Sequence, residues 1–106
     1  MKMVQSHKIT TYFGLQSIHI QKDSEILGCY IDPSLDLCIS YICDTMGGPI
    51  EERSVICVYN WGTLPVLQPD QFPRYVGQVV HQNQVLFVFE IMLSELRTTV
   101  VRKVGE

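Results

Sequence analysis

Apolar and polar positions along this chain fall into short runs broken by turn residues, not into long helical stripes. Residues 8–13 (Lys-Ile-Thr-Thr-Tyr-Phe) are β-branched and aromatic and stop at Gly14, a composition that suits a pleated strand. Residues 17–20 alternate, with Ile18 and Ile20 on one side and Ser17 and His19 on the other. Residues 25–31 form a third run. Asp32-Pro33-Ser34 then supplies a turn, with proline fixing φ and the flanking side chains able to bond nearby backbone. Residues 35–43 make a fourth run, Met46-Gly47-Gly48-Pro49 a loop, and residues 53–60 a fifth run. Gly62, Pro65, Pro69 and Pro73 bar residues 61–73 from being a regular central strand. The last two runs, 75–81 and 84–91, flank Gln82-Asn83, a pair that fits a two-residue hairpin because Asn83 tolerates positive φ. Beyond them Leu93, Leu96, Val100 and Val104 sit near helical spacing, which predicts a short helix over about residues 93–101. Thr98-Thr99-Val100-Val101 pulls the same segment toward strand.

These runs predict an all-β protein, an antiparallel sandwich or partly closed barrel of about seven short strands. It forms a single domain over 1–106, with 1–6 as a mobile terminus and 92–106 as a C-terminal extension, helix or strand. Register follows from the turns. If residues 32–34 close a hairpin, Cys29 lies opposite Leu37. If residues 44–52 close the next, Ile39 lies opposite Cys57. Cys29 and Cys57 then share a face roughly 10 Å apart, beyond disulfide reach, and Cys38 points the other way. On this register both faces are apolar: Leu27, Cys29, Ile31, Leu37, Ile39, Tyr41, Val55, Cys57 and Tyr59 on one, and Tyr30, Cys38, Ile42, Ile56 and Val58 on the other. A sheet with one wet face alternates more cleanly. Each face therefore needs a cover, and a second copy of the chain is one way to supply it.

Composition narrows the function classes. With 106 residues, 46% hydrophobic and 18% charged, the chain is globular and builds a core without staples. Eight Lys+Arg against eleven Asp+Glu leave a net charge of −3, which disfavours duplex nucleic acid as a ligand. No apolar leader follows Met1, and residues 79–91 are too short and too polar to span a bilayer. The expectation is a soluble intracellular protein with no membrane partner. The four cysteines, Cys29, Cys38, Cys43 and Cys57, lack Cys-x-x-Cys spacing and nearby histidines, so they read as small buried hydrophobes, not metal ligands.

Catalytic equipment is scarce. His7, His19 and His81 fall in no recognised motif and read as solvated, and Glu51-Glu52 diverge along an extended chain. No nucleophile elbow, phosphate loop or His-Glu-x-x-His is present. The expectation is no enzyme, no catalytic residue and no cofactor. Trp61 is the strongest candidate for binding. It is the single tryptophan and opens an irregular Gly/Pro loop, where it either stacks on a ligand or lids the end of the sandwich. Asn60 and Thr63 offer hydrogen bonds beside it and Tyr59 a second ring. Arg53 and Arg74 flank the run and the loop; they are either ordinary surface charge, the commoner case for arginine, or ligand groups that would meet phosphate through paired N–H bonds.

Several of these stretches resemble a family of small, mostly uncharacterised β-rich proteins of tailed bacteriophages and prophages. Residues 8–12 resemble its opening strand and residues 18–27 its second element. Tyr59-Asn60-Trp61-Gly62-Thr63-Leu64-Pro65 stands where the family carries a Gly-Thr-Gly-His loop. Tyr75-Val76-Gly77-Gln78 is similar to its Tyr-Ile-Gly-Thr step, and Val85-Leu86-Phe87-Val88-Phe89-Glu90 to its closing strand. Lys22-Asp23-Ser24-Glu25 replaces the family's Pro-x-Gly-Ala step, and the loop and closing-strand histidines are missing, so no histidine role carries over. The resemblance implies a phage-borne protein acting in the host bacterial cytoplasm. A phage accessory protein without catalytic groups works by occupancy. The leading expectation is capture of a nucleotide-type signal of antiviral defence, with Arg53, Tyr59, Asn60, Trp61, Thr63 and Arg74 as ligand-binding residues in a homo-oligomer. The alternatives are an inhibitor of a host protein and a minor virion or assembly component.

Overall fold

Among the described residues seven strands form, all but the first where the apolar runs of the sequence fall: β1 (Lys2–Lys8), β2 (Gly14–Gln21), β3 (Glu25–Ile31), β4 (Leu37–Asp44), β5 (Ile50–Tyr59), β6 (Gln71–His81) and β7 (Gln84–Leu93). These come from a computed structural model that describes residues 1–10 and 14–94. Every pairing is antiparallel, and the strands make two open sheets, β1-β4-β3 and β2-β5-β7-β6. The all-β expectation holds, as a sandwich and not a closed barrel.

The core lies between the two sheets. Leu37, Ile39, Tyr41 and Cys43 on β4 face Ile18 and Ile20 on β2, Val55 and Cys57 on β5, and Leu86 and Val88 on β7. The period of two seen in the sequence thus sorts each strand into a core side and an outer side. At one flank β3 approaches β6 so closely that a Cβ on Gly77 would sit 2.9 Å from the Cys29 sulfur. Both strands bulge there, with register shifts at Ile26/Gly28 and at Tyr75/Gly77. The extra residue on each strand increases the local twist and lets two unpaired edges meet.

The hairpin at Gln82-Asn83 forms as the sequence predicts, with φ of 52° and 63°. Positive φ at both central residues is the turn that matches the twist of its flanking strands. Other expectations need correction. The first strand starts at Lys2, not at residue 8, and pairs along its length with β4, so residues 2–6 are sheet and not a free tail. Thr11, Tyr12 and Phe13 lie outside the described residues. The β3–β4 turn spans residues 32–36, because Asp32 Oδ1 accepts the Asp36 N–H at 2.8 Å, and Cys29 therefore opposes Ile39, not Leu37.

Strands β4 and β5 do not pair at all. Residues 45–49 cross from one sheet to the other, and the Gln21 side chain holds the crossing by bonding both the N–H and the carbonyl of Asp44 at 2.6 and 3.2 Å. Cys57 thus meets the Cys29 side of the core across the sandwich and not along one sheet. All four cysteines are free. Pro73 lies inside β6, which an edge strand tolerates because its missing N–H can face away from the sheet. At the C-terminal end β7 runs through Leu93, so the predicted helix cannot start there; residues 95–101 of that prediction, and the C-terminal extension from 95 to 106, lie outside the described residues.

Candidate functional site

Strand β5 ends in a tight turn that displays Trp61. The Asn60 N–H donates to Val85 O at 2.9 Å, and the Gly62 N–H donates back to Tyr59 O at 2.8 Å. Trp61 is third in this four-residue turn, with φ of 70°, a position where positive φ favours glycine or asparagine. Gly62 is fixed by a different need, since a Cβ there would lie 2.8 Å from Tyr59 O and 2.9 Å from Val58 Cγ1. The indole gains no burial in return, for Trp61 is 95% exposed. It does not lid the sandwich.

Beside it a cleft of about 280 Å³ opens onto the outer face of the four-stranded sheet. Val58, Phe87 and Phe89 come from β5 and β7, while Asn60, Trp61, Gly62 and Leu64 come from the turn and the loop. The cleft continues into an apolar row across the sheet, because Leu15 opposes Ile56, Ile56 opposes Phe89, and Phe89 opposes Tyr75. The Tyr75 and Phe89 rings meet edge to face at 6.0 Å between centroids. Tyr59 borders the cleft, but its side chain packs against the core and its hydroxyl lies 2.8 Å from His81 Nδ1. Thr63 is exposed on the loop and is not among the cleft residues.

The two arginines stand elsewhere. Arg53 and Arg74 point to the core side and converge on Glu90, which is 2% exposed. Arg53 Nε donates to Glu90 Oε2, and its Nη1 donates to Ser24 O at 2.9 Å and to Glu51 Oε1 at 3.2 Å. Arg74 Nη2 donates to Glu90 Oε1 at 3.0 Å. The hydrogen bond to Glu90 holds the Arg53 guanidinium above its ordinary pKa, so it stays charged. Arg53 lies six positions before Tyr59 along β5, about 20 Å away. Of the six residues expected to bind a ligand, Tyr59, Asn60, Trp61 and Thr63 therefore cluster at one end, and Arg53 and Arg74 do not join them. Among the described residues no cation lines the cleft.

The buried Glu90 was legible in principle. It shares parity with Leu86 and Val88, and a carboxylate on the core side of a strand calls for a cation. His81 corrects another expectation, being buried against Tyr59 and not solvated. His19 is exposed, 3.9 Å from Glu52, and His7 is half-buried on β1. Glu51 turns toward Arg53, while Glu52 accepts from Ser17 Oγ at 2.7 Å. Among the described residues no cluster of His, Cys, Asp and Glu could hold a metal ion. A second cleft, about 220 Å³, lies where β1 and β2 leave the sandwich open, lined by Met3, Tyr41 and Cys43 among others. Its hydrogen-bonding groups are largely engaged internally, with the Tyr41 hydroxyl on Gln5 and the Gln21 amide on Asp44. No protein-family model, curated protein or solved structure matches this chain.

Proposed function

We propose that the protein is a non-enzymatic binding protein that captures a small nucleotide-type ligand by stacking its planar ring against Trp61. The observation that carries this reading is the tryptophan itself. It occupies a backbone position with φ of 70° and stays 95% exposed. A bulky residue there is strained by about 1 kcal/mol or more, and burial returns nothing. Leu35, with φ of 67° and 73% exposure, shares that combination in the β3–β4 turn; what sets Trp61 apart is an aromatic ring standing at the edge of an apolar cleft. Phe87, Phe89 and Val58 give the neighbouring cleft an apolar lining on which a base can rest, and stacking on an aromatic ring contributes about 1–3 kcal/mol per base.

Arg53 and Arg74 are committed to Glu90, so the ring and not the phosphate is what the cleft residues recognise. The setting rests on the resemblance to small phage proteins: occupancy, inside the host bacterium, of a signal that antiviral defence requires.

Trp61 is the single tryptophan, which makes its fluorescence a direct reporter. Titration with AMP, ADP-ribose and cyclic dinucleotides is expected to quench it saturably and to raise the melting temperature with one of them. Trp61→Gly removes the ring and relieves the turn, so binding is lost while the melting temperature of the single chain, read at concentrations where no dimer forms, is kept or raised. A panel that neither quenches nor shifts the wild-type protein defeats the reading. So does a Trp61→Gly protein that still binds.

A further inference from the structure

The outer face of the four-stranded sheet is apolar well beyond the cleft. Leu15, Leu64, Tyr75, Val80, Leu93 and Trp61 are all exposed around half-buried Phe87 and Phe89. Those six side chains together leave on the order of 800 Å² in water, the area that each partner contributes to a standard stable interface. Isolated monomers seldom expose a continuous apolar patch larger than about 300–600 Å².

The nature of the cover follows from charge and from the edges. On the paired outer positions the groups ionisable near neutral pH are His19 and Glu52, which neighbour each other toward the β2 end. The stretch from Ile56 across Phe89 to Tyr75 carries none. A face without charge offers a foreign partner nothing to complement, whereas a second copy presents the same neutral surface with no like-charge repulsion. Growth of the sheet edge to edge is hindered at β6 by Pro73 and by the bulge at Val76. Face-to-face packing remains, with two sheets stacked about 10 Å apart.

We propose that two copies of this chain pack the outer faces of their β2-β5-β7-β6 sheets together about a two-fold axis, so that each copy closes the open side of the other's Trp61 cleft. The pairing does not depend on what the cleft holds.

Sedimentation of the full chain without ligand, from micromolar to millimolar, tests it. The expected result is a particle of twice the chain mass, with Trp61 emission moving to shorter wavelength as the dimer forms. Leu15→Glu and Tyr75→Glu replace residues that are 58% and 56% exposed, so the fold survives, as circular dichroism will verify, while the dimer weakens about tenfold or more. Val4→Glu, on the outer face of the other sheet, leaves the dimer intact. A wild-type chain that stays monomeric at millimolar concentration overturns the proposal, whether the face is then covered by residues 95–106, by another protein or by water. Persistence of the dimer in both glutamate variants overturns it equally. Because no ligand is added, a monomeric result leaves capture at Trp61 standing, and a silent ligand panel leaves the dimer standing.

Discussion

Replacing Glu90 by Gln tests whether the charged cluster is a structural clamp. The carboxylate is 2% exposed, and the Arg53 and Arg74 side chains facing it are 15% and 45% exposed. Removing one member of a buried pair costs about 3–5 kcal/mol, because the remaining charge is left in a poor solvent. Arg53 keeps two other acceptors, Ser24 O and Glu51 Oε1, which places the expected loss at the low end, about 3 kcal/mol. Arg74 is nearly half in water, so Arg74→Ala removes a screened contact and costs about 1 kcal/mol or less. The double replacement Arg53→Met with Glu90→Met regains most of the loss, since neither charge is then stranded. Urea unfolding followed by far-ultraviolet circular dichroism is the suitable assay. Trp61 fluorescence is not suited, because it would follow separation of two copies as well as unfolding of each. Added salt should weaken the Arg74 contribution and leave that of Arg53. The reasoning fails if Glu90→Gln lies within 1 kcal/mol of wild type, or if Arg74→Ala is as damaging as Glu90→Gln.

Two further outcomes follow from the packing. Gly62→Ala drives a Cβ toward the fixed backbone oxygen of Tyr59 and should destabilise by about 1–3 kcal/mol, seen as a lower melting temperature together with weaker ligand binding at the displaced Trp61. Burial, aided by the neighbouring Cys29, pushes the Cys57 thiol from 9.0 up to about 12. The unfolded chain therefore releases this proton first as pH rises, so stability is unaffected by Cys57 below pH 9 and falls between pH 9 and 12. Urea midpoints across that range, compared with those of Cys57→Ala, measure the effect.

The strands were readable because their signal is local. β3 was expected over residues 25–31 and spans Glu25–Ile31, and the two-residue turn before β7 followed from Asn83 and the flanking alternation. Partnership was not readable, because it depends on what lies across space. The loop after β4 has enough residues either to turn back or to change sheets, and the choice falls to a distant glutamine, Gln21, that satisfies both polar groups of Asp44. The same limit explains the site. Trp61 and its neighbours are adjacent in sequence and so were found together. Proximity in sequence groups Arg53 and Arg74 with them, yet alternation turns both to the core side, where Glu90 engages them.

The two apolar faces expected of the ribbons also divide once the pairings are known. One set, all but Leu27, faces inward and makes the core; the bulge between Ile26 and Gly28 turns Ile26 inward in its place and leaves Leu27 exposed. On the outer side of the three-stranded sheet, Tyr30 donates to Ser6 Oγ at 2.8 Å, and Cys38 sits beside Asp32. Polar groups thus break up that surface. On the outer side of the four-stranded sheet, Leu15, Ile56, Phe89 and Tyr75 lie in direct register instead. The turn at Trp61 adds to that side, because Trp61 lines one cleft with Val58, Phe87 and Phe89 of the outer face. The fold does not require a large ring there, since the core closes without it, and glycine would suit the turn's third position better. The positions that hold the sandwich together and the positions offered to a partner are therefore separable in this chain. Substitutions at Glu90 should change stability, and those at Trp61, Leu15 and Tyr75 should change association.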